Sequence, residues 1–476
     1  MFFRQYELGC LSLFSYLIGD ETTGRAVVVD PQRDISQYLG DAEAAGLRIE
    51  RVIETHFHAD FLSGHLEMAA ATGAAVSYGE AAGKTEFAME PLVDGQQLPL
   101  GKVTLEILAT PGHTPESICV VVSDGESAEP YGVLTGDTLF IGDVGRPDLL
   151  SSVGSSASDL ARQLYHSVHD KLLALPDSVR VFPAHGAGSA CGKNLSTAQQ
   201  STIGEQRATN YALQAMSEDD FVSAVTTGQS VAPPYFGFAA RTNRSTHDLL
   251  DDHEEPPLLG ADEVQRWLAE GAVIIDGRLA EDFASGHLRG AINVGMTGRF
   301  AEYAGDIARP DQPIVLVTDP GRQAEAKIRL ARIGFDRVVG AVDNIDRLLA
   351  EHPELAVHSP RLSATDFAGW NNAAQVMGGE PLQVVDVRNP GETADGIIPG
   401  AHLIPLAALL DRIGELDAEA TTVVYCAGGY RSILASSALA ARGFAKVADI
   451  LGGYDAWKAA GFPTAEPERS EEPLRR

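Results

Sequence analysis

The sequence predicts a multidomain α/β protein, and three observations carry that expectation. Up to about residue 245, short apolar strands such as Arg25–Asp30, Val103–Leu108 and Ser117–Val122 alternate with turns and a few helical stretches, and metal-ligand residue types stand at the strand ends. Beyond that region the chain repeats itself at an offset of 109 to 110 residues. Finally, 476 residues are too many for one ordinary core and imply roughly three domains.

Composition narrows the class. A hydrophobic content of 44% with dispersed charge is that of a soluble globular chain, and no apolar run reaches the roughly 18 to 20 residues of a membrane span. Leu11–Ile18 is short, broken by serines and preceded by Glu7, so it reads as a strand rather than a signal peptide. A cytoplasmic protein without a membrane partner is expected. The net charge of −30 argues against sequence-independent nucleic-acid binding, which needs a cationic surface. Cys10, Cys119, Cys191 and Cys426 are widely spaced and include no CxxC pair. Individual thiols in a reducing compartment fit that usage better than a disulfide framework does.

The boundaries follow from composition and repetition. Residues 1–245 form the first domain; 246–257, acidic and proline-containing, form a linker. Two copies of an α/β domain of about 100 residues follow, at 258–357 and 358–465, and 466–476 form a charged tail expected to be mobile. Val273-Ile274-Ile275-Asp276-Gly277-Arg278 matches Val384-Val385-Asp386-Val387-Arg388, each a buried strand ending in Asp-x-Arg. Gly290-Ala291 matches Gly400-Ala401, Arg322 matches Arg431, and Gly334-Phe335 matches Gly443-Phe444.

The ligand-type residues begin with His56-Phe57-His58-Ala59-Asp60-Phe61, after the apolar Val52-Ile53. Two histidines and a carboxylate on one strand-to-loop turn can converge on a cation. His113, Asp137 and His185 each stand in a short glycine-containing turn, and His65 lies just downstream of the first motif. A single such histidine is more often a satisfied core residue; a set in this order is not. The order and spacing resemble the metallo-β-lactamase fold, an αββα sandwich, over residues 1–240. In two-metal members of that family, the positions of His56, His58 and His113 hold one cation and those of Asp60, Phe61 and His185 the other, with Asp137 bridging. Phe61 cannot ligate, so the resemblance implies a mononuclear centre.

Within the superfamily, the pattern is similar to the persulfide dioxygenases. That likeness implies one Fe(II) per chain, held by His56, His113 and Asp137 and leaving room for substrate and O₂ together. His58, Asp60 and His185 would then orient ligands or bonded water. A four-ligand zinc site that includes His58 is the competing arrangement. Arg146, in Gly142-Asp143-Val144-Gly145-Arg146-Pro147-Asp148, is placed by the resemblance at the pocket mouth, where it would meet a carboxylate of a carrier thiol. A surface pair with Asp148 is the alternative. Cys191, six residues after His185 and close to Lys193, is a candidate substrate-side thiol or a merely packed one. Cys119 is expected in the core.

Cys426-Ala427-Gly428-Gly429-Tyr430-Arg431-Ser432 follows a buried strand and opens a helix. Small residues let backbone N–H groups turn inward, and Arg431 adds positive potential, so a thiolate or persulfide would be stabilised there. With Asp386-x-Arg388 and Gly452-Gly453-Tyr454-Asp455-Ala456-Trp457, residues 358–465 resemble a rhodanese sulfurtransferase domain, with Cys426 and Arg431 catalytic. The middle copy has that frame and no cysteine. Ungapped alignment sets Val317 opposite Cys426, so this copy is expected to be catalytically silent.

The order of domains resembles bacterial persulfide dioxygenase–sulfurtransferase fusions. It implies oxidation of a low-molecular-weight thiol persulfide, carried by glutathione, coenzyme A or a similar thiol, with O₂ to sulfite. Sulfite would then combine with sulfane sulfur on Cys426 to give thiosulfate, in sulfide detoxification. A homo-oligomer is the ordinary prior for such an enzyme. The rivals are a zinc-dependent glyoxalase II-like thioester hydrolase fused to a rhodanese, and a non-catalytic sulfur carrier.

Overall fold

The computed structural model describes residues 1–149, 156–377 and 382–467; the end of the expected mobile tail, from residue 468, lies outside the described residues. The chain forms two compact units, one of Met1–Asp252 with Ile328–Asp336, the other of His253–Lys327 with the residues from Arg337 on. Three sequence domains thus give two packing units.

The first unit is built on two six-stranded sheets. One holds β1 (Phe2–Leu8), β2 (Leu13–Asp20), β3 (Arg25–Val29), β4 (Arg48–Ile53), β5 (Ala75–Gly79) and β6 (Glu90–Leu92) in sequential order. The other holds β7 (Gln97–Pro99), β8 (Thr104–Ala109), β9 (Ile118–Ser123), β10 (Gly132–Gly136), β11 (Arg180–Pro183) and β12 (Ser201–Thr202). Period-two alternation decides which side chains face inward. Val27, Val29 and Ile53 meet Ile107, Val120, Val122 and Leu134 in the core between the sheets. Ala26, Val28 and Val52 face outward beneath Tyr38 and Ala42 of the helix Ser36–Ala44 and Met68 of the helix His65–Thr72. On the far side, Cys119, Val121, Val133 and Val181 pack against Ala161 and Leu164 of the helix Ala157–His166. Both sheet faces are therefore apolar, which explains runs such as Val27-Val28-Val29, and the layers are α, β, β, α. Cys119 lies in that core, as its place in an all-apolar strand predicts.

The two repeats make up the second unit. In the first, β13 (Val273–Asp276), β15 (Ala291–Asn293), β16 (Ile314–Val317) and β17 (Val338–Val342) form a parallel sheet, while β14 (His287–Leu288) pairs with β18 (Ala356–Val357). In the second, β19 (Arg361–Leu362), β20 (Leu382–Asp386), β21 (His402–Leu403), β22 (Thr421–Tyr425) and β23 (Val447–Ile450) form another, in the order β19-β23-β22-β20-β21. The repeats share a core: Ile433, from the helix Tyr430–Ala440, packs in the cluster of Ile274, Ala291 and Val315. The Asn293 N–H also donates to Ser437 Oγ at 3.0 Å.

Sheet register corrects one sequence alignment. Asp276 stands opposite Val317, and Asp386 stands opposite Tyr425. Val317 is therefore the counterpart of Tyr425, and Thr318, not Val317, takes the place of Cys426. The ungapped alignment failed because the loop from Thr318 to Arg322 is one residue shorter than that from Cys426 to Arg431.

Candidate metal centre and thiol site

Topology gathers the metal-ligand residues. Strand β8 is antiparallel to β9 and β9 to β10, while β10 and β11 are parallel. The C-terminal ends of β8, β10 and β11 therefore share one sheet edge, and from them emerge His113, Asp137 and His185. Strand β4 delivers Thr55-His56 from the other sheet, and Ile118 N–H donates to Thr55 O at 2.9 Å, tying the two edges together. Two glycines make the close approach possible. Gly136 has φ +50° and sits against Thr55; a Cβ on Gly145 would lie 1.9 Å from the Asp137 carbonyl oxygen.

His56, His113, Asp137 and His185 are all buried. Asp137 Oδ2 lies 3.8 Å from His56 Nε2 and 3.5 Å from His113 Nε2, while Oδ1 lies 3.4 Å from His185 Nε2. The opposite ring nitrogens fix which lone pair points inward. Thr55 Oγ1 donates to Asp30 Oδ2 at 2.9 Å and so accepts from His56 Nδ1–H at 3.0 Å. His113 Nδ1–H donates to the Arg146 carbonyl at 2.9 Å, and His185 Nδ1–H to the Ser12 carbonyl at 3.1 Å. Each Nε2 is left as an acceptor facing Asp137, the arrangement that metal-binding histidines need. Burial, and then the neighbouring His58, His113 and His185, push the His56 pKa well below the ordinary value, so the ring is neutral and ligand-competent.

The donors also fit a metal by default of other partners. His56 Nε2 and both Asp137 carboxylate oxygens are buried without a hydrogen bond among the described residues. Leaving three such atoms unsatisfied costs several kcal/mol, roughly 1–3 each, unless a cation engages them. The His56, His113 and Asp137 donor atoms lie within 4.8 Å of one another. For metal–ligand bonds of about 2.0–2.2 Å, a tetrahedral site separates its donors by roughly 3.3–3.6 Å, close to the carboxylate–imidazole distances found.

His58 turns away from this cluster. Its Nε2 lies 3.0 Å from Asp30 Oδ1 and 3.4 Å from Glu54 Oε2. Burial alone would lower the His58 pKa; Asp30 and Glu54 more than offset that and raise it well above the ordinary value. A protonated imidazolium is a poor ligand, which weakens the four-ligand zinc arrangement. Burial pushes the Glu54 carboxyl up to about 7. His65 is not part of the centre. It is fully buried beside the rings of Phe87 and Tyr78, and burial lowers its pKa to about 3, as for a packed core histidine.

Arg146 also differs from expectation. It is buried, and its guanidinium donates to both Asp148 oxygens at 2.7 Å, to Ala190 O at 3.2 Å and to Ser230 O at 2.8 Å. Its guanidinium is thus paired with Asp148, and its link to the centre is its carbonyl, which accepts from His113. Phe61 is wholly buried, its ring 4.3 Å from that of His58. Cys191 is buried and stands with Asp60 and His185.

Several supporting residues escaped the sequence reading. Asn243, buried at the end of the helix Phe236–Thr242, donates to His58 O at 2.8 Å and Phe61 O at 2.9 Å and accepts from Ser63 N–H at 2.9 Å, clamping the whole ligand loop. Tyr235 Oη donates to Asp60 O at 2.9 Å. Among the described residues, Ser12 and Asp30 are the non-glycine residues with left-handed backbone, φ +52° and +51°. Both hold the centre, Ser12 through His185 and Asp30 through Thr55 and His58. Strained backbone of this kind persists where surrounding structure enforces it, commonly at functional sites. Asp30 had a readable signal, closing an apolar strand; Asn243 had none.

In the second unit, Cys426 directly follows β22, and Gly429, with φ +95°, turns the chain into the helix Tyr430–Ala440. The buried Cys426 Sγ accepts from Gly429 N–H at 3.1 Å. Tyr454 N–H donates to Cys426 O at 2.7 Å, and a Cβ on Gly453 would lie 2.2 Å from that oxygen, so the Gly452-Gly453 pair seats the loop from below. Arg431 makes a two-pronged pair with Glu392, at 2.7 and 2.5 Å, a partner the sequence did not reveal. Burial opposes the Arg431 charge, but Glu392 more than offsets it and its pKa is raised.

The match to known families follows this geometry. A model of the metallo-beta-lactamase superfamily matches residues 8–185, and one of the rhodanese-like domain matches twice, at 260–344 and 370–460. Fold and centre thus define a metallo-β-lactamase-superfamily domain joined to two rhodanese-like domains. Among relatives, the mitochondrial persulfide dioxygenase ETHE1 of Bos taurus is 31% identical over 235 residues, covering 48% of this chain and 82% of that protein. The cytoplasmic hydroxyacylglutathione hydrolase of Arabidopsis thaliana is 33% identical over 182 residues, 38% of this chain and 66% of that one. A solved metallo-beta-lactamase from Staphylococcus aureus subsp. aureus COL aligns with TM-score 0.65 and 32% identity, over 71% of this chain and 98% of that chain. The chain belongs to the persulfide dioxygenase family, fused to tandem rhodanese-like domains.

Proposed function

We propose that this protein oxidises a low-molecular-weight thiol persulfide with O₂ and passes sulfane sulfur through Cys426 to the sulfite formed. The observation that carries the first half is the convergence of His56 Nε2, His113 Nε2 and the Asp137 carboxylate, with His56 Nε2 and both carboxylate oxygens lacking a hydrogen bond among the described residues, beside a Phe61 that cannot ligate. Two imidazoles and one carboxylate suit Fe(II), which when bound supplies open positions for sulfur and O₂ together. The balance is RSSH + O₂ + H₂O → RSH + SO₃²⁻ + 2 H⁺, with the outer sulfur oxidised and O₂ reduced. Thr55, Arg146 O and Ser12 O hold the three imidazole tautomers. The carrier is glutathione, coenzyme A or a similar thiol.

At the second site, the Cys426 thiolate attacks the outer sulfur of a persulfide, the S–S bond breaks, and RS⁻ leaves, giving Cys426–S–SH. Sulfite then attacks that outer sulfur and departs as thiosulfate, returning the thiolate. Gly429 N–H donates to Sγ, and the N-terminus of the helix Tyr430–Ala440 favours the anion. Arg431, held by Glu392, adds fixed positive charge. Carrying both sites on one chain raises the effective concentration of sulfite at the transferase.

Metal analysis with oxygen-electrode traces on a thiol persulfide tests the reading. His113→Ala and Asp137→Ala should each lose iron and oxygen uptake together. Turnover retained without bound iron refutes the oxygenase, and thioester hydrolysis with zinc in its place would establish the hydrolase alternative.

A further inference from the structure

We infer that a cavity between the two repeats, at the sheet edge remote from Cys426, is a binding site for a purine nucleoside diphosphate. The cavity lies within the second unit and has a volume of about 590 Å³, inside the range of about 300–1,000 Å³ usual for small-molecule sites. Two of the glycine motifs that mark the repeats build it, one from each copy. Gly290, with φ +83°, turns the chain between β14 and β15 and leaves Arg289 on the cavity wall. Gly443, with φ +95°, turns the chain after the helix Tyr430–Ala440, so that Phe444 is buried and Lys446 reaches the same cavity. The site stands apart from the sulfur chemistry. Thr421 opens β22 on the cavity and Cys426 follows the other end of that strand, about 16 Å on at roughly 3.3 Å per residue.

Charge selects an anion. The chain carries 66 acidic residues and a net charge of −30, yet among the described residues no carboxylate lines this cavity, whereas Arg289 and Lys446 do. The helix Tyr430–Ala440 presents its C-terminal end here, and its last carbonyls disfavour an anion, so the attraction has to come from those two side chains. Guanidinium and ammonium groups both suit phosphate oxygens.

The rest of the wall suits a flat ring with N–H donors. Trp370 lines the cavity and is 41% exposed, where Trp457 of the same repeat is buried, so its indole is open to stacking. His287 and His358 also line it, and both are anchored by the helix Ala280–Ser285: His287 Nδ1–H donates to Phe283 O at 2.8 Å and His358 Nδ1–H to Ser285 O at 2.5 Å. In the neutral ring each Nε2 is left as an acceptor, the complement of a purine amine. Burial pushes the His287 pKa down to about 4, which keeps that ring neutral at pH 7. None of this depends on which reaction the metal centre supports.

The test is equilibrium dialysis of the full-length protein against radiolabelled ADP without magnesium. One equivalent should bind and saturate by about 1 mM, and unlabelled pyrophosphate or adenosine, each lacking half of the ligand, should compete at least about 10-fold more weakly than ADP. Arg289→Ala and Lys446→Ala should each weaken binding by about 10-fold, and Trp370→Ala by about as much, while sulfur transfer through Cys426 without nucleotide stays at the wild-type rate. No ADP retained at about 1 mM overturns the proposal. So does pyrophosphate competing as well as ADP, which would leave a mere pair of surface cations, or binding indifferent to all three substitutions, which would put the nucleotide elsewhere.

Discussion

The two repeats of the second unit differ less in their frame than in one loop. Arg278 and Arg388 each form a two-pronged pair with the aspartate two residues before, at 2.7 and 2.6 Å between Nη2 and Oδ2. Each also donates from Nη2 to a glycine carbonyl eight residues on, Gly286 at 2.9 Å and Gly396 at 2.8 Å. At the strand end the likeness stops. Cys426 stands over Gly429 N–H, on a Gly452-Gly453 support; Thr318 opens a shorter loop, and its buried hydroxyl oxygen lacks a hydrogen bond among the described residues. A hydroxyl does not carry sulfane sulfur. The two copies thus share a frame and differ at the loop that follows the central strand.

The largest expected effect is at the loop. Cys426→Ser should abolish thiosulfate formation, a fall of about 10⁴-fold or more as for other covalent nucleophiles, with oxygen uptake retained and sulfite accumulating. Undiminished thiosulfate would remove Cys426 from the mechanism.

The frame should break equally in both copies. Arg278→Ala and Arg388→Ala each strand a buried aspartate, and each should cost about 3–5 kcal/mol in urea unfolding of the full chain. Unequal losses would show that the frame of the copy without a cysteine has relaxed.

A smaller effect belongs to Glu392, which pairs with Arg431 in the second copy. Burial would raise its pKa, but Arg431 more than offsets this and holds it below the ordinary value. A depressed folded pKa means stability that is present above the unfolded value, about 4.3, and lost as pH falls through the folded one. Wild-type and Glu392→Gln unfolding midpoints should therefore differ at neutral pH and converge in acid. Parallel pH profiles would deny the pair its role.

The smallest effect is a null. Thr318→Cys should add no transferase activity above the Cys426→Ser background, because its loop is one residue shorter and no Gly-Gly pair follows β17 to support it. Measurable transfer would make the thiol alone sufficient.

Much of this was legible because it is local. The Asp-x-Arg repeat and the Cys426 loop are written within a few residues, and the His56–Phe61 motif sits on one turn after one strand. The sandwich core was legible wherever apolar runs marked strands covered on both faces. Asn243, Ser12 and Glu392 were not legible, since each acts on a site 39 to 185 residues away in sequence. The partners of Arg146 beyond Asp148 were not legible either, because a cation near a site says nothing about how many acceptors the fold places around it.

The sequence by itself determined the duplication, the lack of a cysteine in the first copy, and the candidate nucleophile and ligands, because residue identity and short spacing settle what chemistry is possible. Only the tertiary structure decided how those ligands are grouped. It turned His58 toward Asp30 and Glu54, closed Arg146 on Asp148, set Thr318 opposite Cys426, and brought Cys191 to Asp60 and His185 beside the place Phe61 leaves without a donor. The physical reason is the same in each case. Strand order and register set the distances between side chains remote in sequence, and those distances decide whether a polar atom finds a partner in the protein or is left to a ligand.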